Sequence, residues 1–283
     1  MRLFCSIIAI FTLLLSIVAC EDVVEIETPS DTPRLVIDAL IRVDTSRALT
    51  PIAVKVSQTN NFFESIPPAN LQQITLTDAV NGGGAILNEF EAGSGIYLDT
   101  VSTRFLIENE LILQIDFEDE FYVAYAQFQP SVPIDSLAIG DGVLIEDETE
   151  LVVSFTDVGT RDDYYLFDFD FRSYLVTEDE FYQGQPFTFS YFYDEEFEVG
   201  QELEIGLMGV DKAFYDYMAL LIEQSEPPFG PFETPAVTVR GNFINVTDID
   251  NTDASDNVNN PDNYALGYFA IVQEYKRSIT IEE

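Results

Sequence analysis

Apolar residues at every second position, repeated in one short segment after another, constrain this chain more than any other feature. Ile52, Val54 and Val56 alternate with other residues, as do Ile74 and Leu76. Leu111, Leu113, Ile115 and Phe117 do the same, and Ile112 makes their other face partly apolar. Strand side chains point to opposite faces in turn, so this period buries one face of an extended segment and cannot line one face of a helix. Asn81-Gly82-Gly83-Gly84 and Ala92-Gly93-Ser94-Gly95 supply turns between the segments. The spacing predicts an Ig-like antiparallel β-sandwich over residues 34–130.

Pro130 and Pro133 mark the expected boundary with a second, β-rich domain over residues 131–283. There Leu151, Val153 and Phe155 alternate. Tyr165, Phe167, Phe169 and Phe171 share one face, while Asp168, Asp170 and Arg172 point the other way. Strands are expected from Pro186 to Tyr193, from Glu202 to Val210, near Ala236 to Asn242, and as a final pair between Tyr264 and Ile281. One helix interrupts them near residues 211–224. Asp211 suits its N-cap, Phe214, Met218 and Leu221 recur on one face, and Pro227 and Pro228 lie beyond its end. The fold class is therefore mainly β with a single α-helix.

The N-terminus carries a different message. Arg2 precedes a long apolar run, Leu3 to Ala19, that closes on Ile17-Val18-Ala19-Cys20. A basic start, an apolar stretch and a small residue before the cut describe a secretory signal over residues 1–19. The terminal tetrapeptide looks like a bacterial lipobox, which makes Cys20 the lipidation site and the bilayer a partner. The alternative is an uncleaved anchor, because the run approaches the length that spans a membrane. Glu21 and Asp22 follow directly, where an anchor would more often carry basic residues. Cys5 leaves with the signal, so the mature chain has one thiol, occupied by lipid, and no disulfide or thiolate metal site. Residues 20–33, polar with two prolines, form a tether.

Charge narrows the partners. Loss of Arg2 takes the net charge from −39 to −40, while 47% hydrophobic content is that of a folded chain. The sign argues against nucleic acid, which basic residues bind by displacing counterions, and against lying on anionic lipid by charge. No His occurs, which removes Ser-His-Asp and Cys-His catalysis and imidazole metal sites. The expectation is a protein that is not an enzyme and needs no cofactor.

Three patterns bear on chemistry. Asp248, Asp250 and Asp253, in a stretch continuing to Asp256, Asn257 and Asp262, offer alternate oxygens that suit calcium. The loop lacks the glycine and closing Glu of an EF-hand, and the competing reading is a solvated acidic loop. Acids mixed with aromatics, at Asp116 to Tyr122, Glu178 to Tyr182 and Phe187 to Phe197, could hold a sugar or a cationic ligand; the competing reading is strand core. Paired carboxylates, Asp168 with Asp170 or Asp162 with Asp163, could serve glycoside hydrolysis, but 51 acids make such pairs by chance.

Taken in order, Cys20-Glu21-Asp22-Val23-Val24-Glu25-Ile26 and Arg34-Leu35-Val36-Ile37-Asp38-Ala39-Leu40-Ile41 resemble the opening of the Bacteroidetes lipoproteins grouped as the domain-of-unknown-function 4249 family. The Asp211 helix, Val239-Arg240-Gly241-Asn242-Phe243, the Asx-rich loop and Leu266-Gly267-Tyr268-Phe269 extend the resemblance over nearly the whole mature chain. The absence of Trp and His departs from many members. The resemblance implies an outer-membrane lipoprotein, lipid-anchored and facing the cell surface, accessory to a TonB-dependent receptor through ligand capture or capping. It assigns no catalytic residue. A structural or adhesive surface module is the alternative.

Overall fold

The computed structural model describes residues 32–281 except 62–63, 143–147, 195–196, 226–236, 248 and 250–262. Cys20 and the expected calcium ligands Asp248, Asp250 and Asp253 therefore lie outside the described residues. The chain divides into a small unit, residues 1–32 with 61–64, and a large one formed by everything else. Of the small unit only Thr32, Asn61 and Glu64 are described.

The chain runs through β1 (Leu35–Val43), β2 (Leu49–Gln58), β3 (Gln73–Asp78), the short β4 (Gly84–Ile86) and β5 (Asn88–Glu89), and β6 (Ile96–Ser102). A short helix, α1 (Thr103–Glu108), leads into the hairpin of β7 (Leu111–Phe117) and β8 (Glu120–Ala126). Next come β9 (Ile134–Ile139), β10 (Thr149–Thr156), β11 (Tyr164–Asp168) and β12 (Tyr174–Glu178), then a 3₁₀ turn at Asp179–Phe181. β13 (Pro186–Tyr193), β14 (Glu202–Val210), α2 (Lys212–Ser225), β15 (Ile244–Asn245) and β16 (Leu266–Thr280) complete it. Among the described residues the protein is mainly β with one long helix, as the periodicity requires.

The alternating residues face inward. Ile52, Val54, Val56, Ile74, Leu76, Leu111, Leu113 and Ile115 are all buried, and Ile112 is half-buried. An eight-stranded sheet, β12-β11-β14-β16-β1-β2-β6-β5, forms one layer. The five-stranded sheet β15-β8-β7-β3-β4 and the three-stranded sheet β13-β10-β9 share its apolar cores. On a further face Phe214 and Met218 of α2 bury against Leu166, Met208 and Val272. Asp211 caps that helix, its Oδ1 accepting from Phe214 N–H at 2.7 Å.

Strands from both sides of Pro130 share the eight-stranded sheet, and β16 is the reason. Its first half pairs in parallel with β1, from Val36 opposite Leu266 to Val43 opposite Gln273. Its second half pairs antiparallel with β14, from Met208 opposite Glu274 to Glu202 opposite Thr280. Phe243, Ala265, Phe269 and Ile271 thus complete the core of residues 35–126. The expected final pair of strands is a single strand because nothing after Gly267 can turn it: residues 268–280 hold neither Gly, Pro nor Asn. Gly267 itself has φ +94°, and a Cβ there would lie 1.9 Å from the Ile37 carbonyl oxygen, so only glycine lets β16 close on β1.

The strand expected near Ala236 to Asn242 does not form over its described residues, 237–242. Asn242 takes the strand's place with its side chain. Its Nδ2 donates to Phe269 O and its Oδ1 accepts from Phe269 N–H, both at 2.9 Å, satisfying the backbone of β16 without a ladder.

Candidate functional site

Three buried acidic side chains gather where β10, β11 and β12 meet. Asp157 directly follows β10, Asp163 directly precedes β11, and Asp179 opens the 3₁₀ turn after β12. The hairpin register sets Tyr164 opposite Glu178, so the next pair outward is Asp163 and Asp179. Backbone bonds lock it: Asp179 N–H donates to Asp163 O at 3.1 Å, and Asp163 N–H donates to an Asp179 carboxylate oxygen at 3.0 Å. Asp157 joins from the facing sheet.

All three carboxylates are buried, and each offers an oxygen within 4.8 Å of the others. Tyr165 Oη donates to Asp157 at 2.6 Å and lies 3.2 Å from an Asp163 oxygen. Gly184 N–H donates to the second Asp157 oxygen at 2.7 Å. Arg161 Nε donates to Asp163 at 2.5 Å, while its buried Nη2 has no partner among the described residues. Burial pushes the Asp163 carboxyl above its ordinary range, against the pull of the Arg161 guanidinium. Burial, reinforced by the hydrogen bond to Asp157, keeps the Tyr165 hydroxyl protonated far beyond the usual tyrosine range.

The arrangement can do two things chemically. Three clustered carboxylates are the oxygen donors that a hard divalent cation takes. They also act as acceptors for donors already present on three different chain segments, and in that role they brace the end of the sandwich. The Arg161 charge offsets part of the cost of burying three acids together.

The structure treats the sequence candidates unevenly. Of the pair Asp162 and Asp163, only Asp163 enters the cluster; Asp162 accepts from Gln183 at the surface. Asp168 accepts from Arg42, and Asp170 lies in the turn after β11. Asp157 lies outside the sequence candidates, and Asp179 falls among them only within the acid–aromatic stretch Glu178 to Tyr182; the β11–β12 register is the signal that pairs it with Asp163. The acid–aromatic stretches mostly build core. Phe169 stacks on Tyr191 at 3.9 Å between centroids, Tyr182 on Phe187 at 4.2 Å, and Phe117 and Tyr122 are buried. Phe181 alone among them is almost fully exposed, at 87%.

The stems of the acidic loop that contains Asp248, Asp250 and Asp253 are described, and one residue gathers them. Glu120 accepts from Asn245 Nδ2 before the loop and Asn263 Nδ2 after it, each at 2.9 Å.

A family model described as Domain of unknown function (DUF4249) matches residues 21–278 of the chain. No curated protein matches it.

Proposed function

We propose, on the premise that the chain belongs to the DUF4249 family, that it is a non-enzymatic lipoprotein of the outer membrane that works beside a TonB-dependent receptor at the cell surface. One observation carries the reading. The apolar segment ending at Cys20 is joined by a short polar tether to β1, and β1 lies inside the eight-stranded sheet between β16 and β2. A load on the tether is therefore opposed by two ladders of backbone hydrogen bonds rather than by a frayed edge strand. The body acts as a ligand-capturing or capping element held at the bilayer by its first residue. Pull-down from detergent-solubilised outer membrane tests this, with a TonB-dependent receptor expected at near-stoichiometric yield; its absence from the eluate rejects the partnership. Protease shaving of intact cells reads the facing.

A structural or adhesive role is the second reading, and β16 favours it. Fifteen unbroken residues shared by both apolar cores make a stiff connection suited to a spacer. Loss of cell attachment on deletion, with receptor-dependent uptake intact, would select this reading over the first.

A further inference from the structure

An open sheet edge is where a folded β chain meets another strand, and this chain guards most of its own with charge or shortness. β4, β5 and β15 have three residues or fewer. β12 carries Glu178. β9 carries Asp135, and Arg277 Nη1 donates to the Ile134 and Asp135 carbonyls. β13 lacks such a guard. It ends the three-stranded sheet, with β10 on one side and no strand on the other among the described residues. Its eight residues, Pro186 to Tyr193, hold no charge, whereas every other described strand of five residues or more carries Asp, Glu, Lys or Arg. Its one proline is the first residue, where it blocks none of the strand that follows.

The phase of the ladder shows which groups this edge offers. Asp157 N–H donates to Gln185 O at 3.2 Å, just beyond the strand. Bonded pairs recur at every second position of an antiparallel ladder, so Phe187, Phe189, Tyr191 and Tyr193 turn their backbone groups to Phe155, Val153, Leu151 and Thr149. Thr188, Ser190 and Phe192 turn theirs outward. Side chains hold the strand flat against β10: Thr188 Oγ1 lies 2.7 Å from Ser154 Oγ, and Ser190 Oγ donates to Glu150. The inward rings of Phe187 and Phe189 are only half-buried, while Leu151, Val153 and Phe155 beside them on β10 are fully buried. A further strand would cover those rings as well as pair the backbone.

We propose that the further strand is β13 of a second copy of this chain, paired antiparallel about a two-fold axis at Ser190. Ser190 then faces Ser190 and Thr188 faces Phe192, twice over, which makes about six backbone hydrogen bonds from the three outward residues of each copy. No charge meets a like charge along the strand, and Asp194 falls opposite Pro186. The two ends of β13 select a second copy over an unrelated strand. At the Pro186 end, where Tyr182 stacks on Phe187, the 3₁₀ turn presents exposed Glu180 and Phe181. At the other end, Tyr193 Oη donates to Phe169 O and its ring packs on Phe197, which contacts Phe171 at 5.8 Å between centroids. Phe171 and the adjoining Arg172 are exposed, and Arg172 forms no ion pair among the described residues. The two-fold axis carries the Glu180–Phe181 end of one copy to the Phe171–Arg172 end of the other, apolar toward apolar and anion toward cation. The net charge of −39 opposes the approach, but charges on the two bodies are screened beyond about 8 Å at physiological salt. The pairing does not depend on acylation of Cys20.

Cross-linking in native membranes tests the pairing. Two residues facing each other as a bonded antiparallel pair have Cα atoms about 5.5 Å apart, within reach of a disulfide. Oxidised Ser190→Cys protein should therefore run at twice the mass of the chain. Ile86→Cys, exposed on β4, and the wild type should not. A band no stronger than theirs overturns the proposal. A band at another mass means that the edge takes a different protein's strand, and overturns it too. Sedimentation velocity of the detergent-solubilised full chain supplies the second measurement. Dimers are expected, and their association should strengthen as salt is raised to the physiological range. Ser190→Pro removes an N–H that β10 does not use, so it should weaken association about thirtyfold through two hydrogen bonds lost per dimer. Ser190→Ala should remain dimeric. Association that Ser190→Pro leaves unchanged, or that falls as salt rises, contradicts a second copy at this edge. The cross-link needs no proline and decides the matter should that variant fail to fold.

Discussion

Arg42 and Asp168 meet across the eight-stranded sheet, Nη1 to Oδ2 at 2.7 Å, with 125 residues of chain between them and two strands, β16 and β14, separating their own. The same guanidinium nitrogen donates to Glu274 of β16 at 2.9 Å. The intervening strand makes this possible by having no side chain at Gly206, where a Cβ would lie 2.8 Å from Glu274 Oε1. One cation thus ties β1 to strands on the far side of Pro130. Glu274 has only 8% of its side chain exposed, and Arg42 is its nearer cation, with Lys276 4.0 Å from its other oxygen.

Arg42→Met should therefore destabilise the protein by about 2 kcal/mol, discounted from the cost of breaking a fully buried pair because Arg42 is partly exposed. Gly206→Ala should produce a similar loss with no change in charge, and the two should be less than additive. Urea unfolding with a double-mutant cycle measures this. Full additivity would show that Gly206 does not make room for the ion pair.

Gly267→Ala should cost about 3 kcal/mol or more, because it combines a left-handed backbone with a clash against the Ile37 carbonyl. The loss should appear as hydrogen–deuterium exchange in β1 as well as in β16. Exchange confined to residues after 267 would mean that the parallel pairing does not depend on this glycine.

The buried Asp163 predicts a pH signature. Its folded value is raised above 3.8 by burial, so the folded state binds the proton more tightly than the unfolded state. Its contribution is most favourable below the ordinary carboxylate value and is lost as pH rises through the raised one. Asp163→Asn should flatten this fall in stability with rising pH. Thermal melts across the weakly acidic range check it, and an unchanged slope would count against burial as the dominant influence.

Glu120→Ala should release both stems of the acidic loop at once, since Asn245 and Asn263 lose a common acceptor. Limited proteolysis between Thr247 and Asn263 should accelerate several-fold while β7 and β8 stay protected. Equal cleavage rates in both proteins would leave Glu120 without a role in holding the loop.

Much of this architecture was readable from periodicity because burial on one face is a local property. Ile52, Val54 and Val56 face inward for the reason their spacing states, and Asp211 caps its helix through its own side chain. What could not be read was non-local. Nothing in the alternation of β1 specifies a parallel partner more than two hundred residues later, so β16 looked like two strands and its shared membership was invisible. The Asp157–Asp163–Asp179 cluster exists only through ladder register and sheet packing. The open outer edge of β13 likewise follows from the order of strands in its sheet, which its own residues do not state. Asp168 and Asp170 are close in spacing, yet the folded chain sends them to different places: Asp168 to Arg42 and Asp170 to the turn after β11.

Attachment to the bilayer turns on the chemistry of one thiol. Intact-mass analysis of protein extracted from membranes should find a chain that begins at Cys20 and carries acyl groups, with the Cys20→Ser protein released into the soluble fraction. A chain that begins at Met1 without acylation, and a Cys20→Ser protein that remains in the membrane at unchanged mobility, would contradict it.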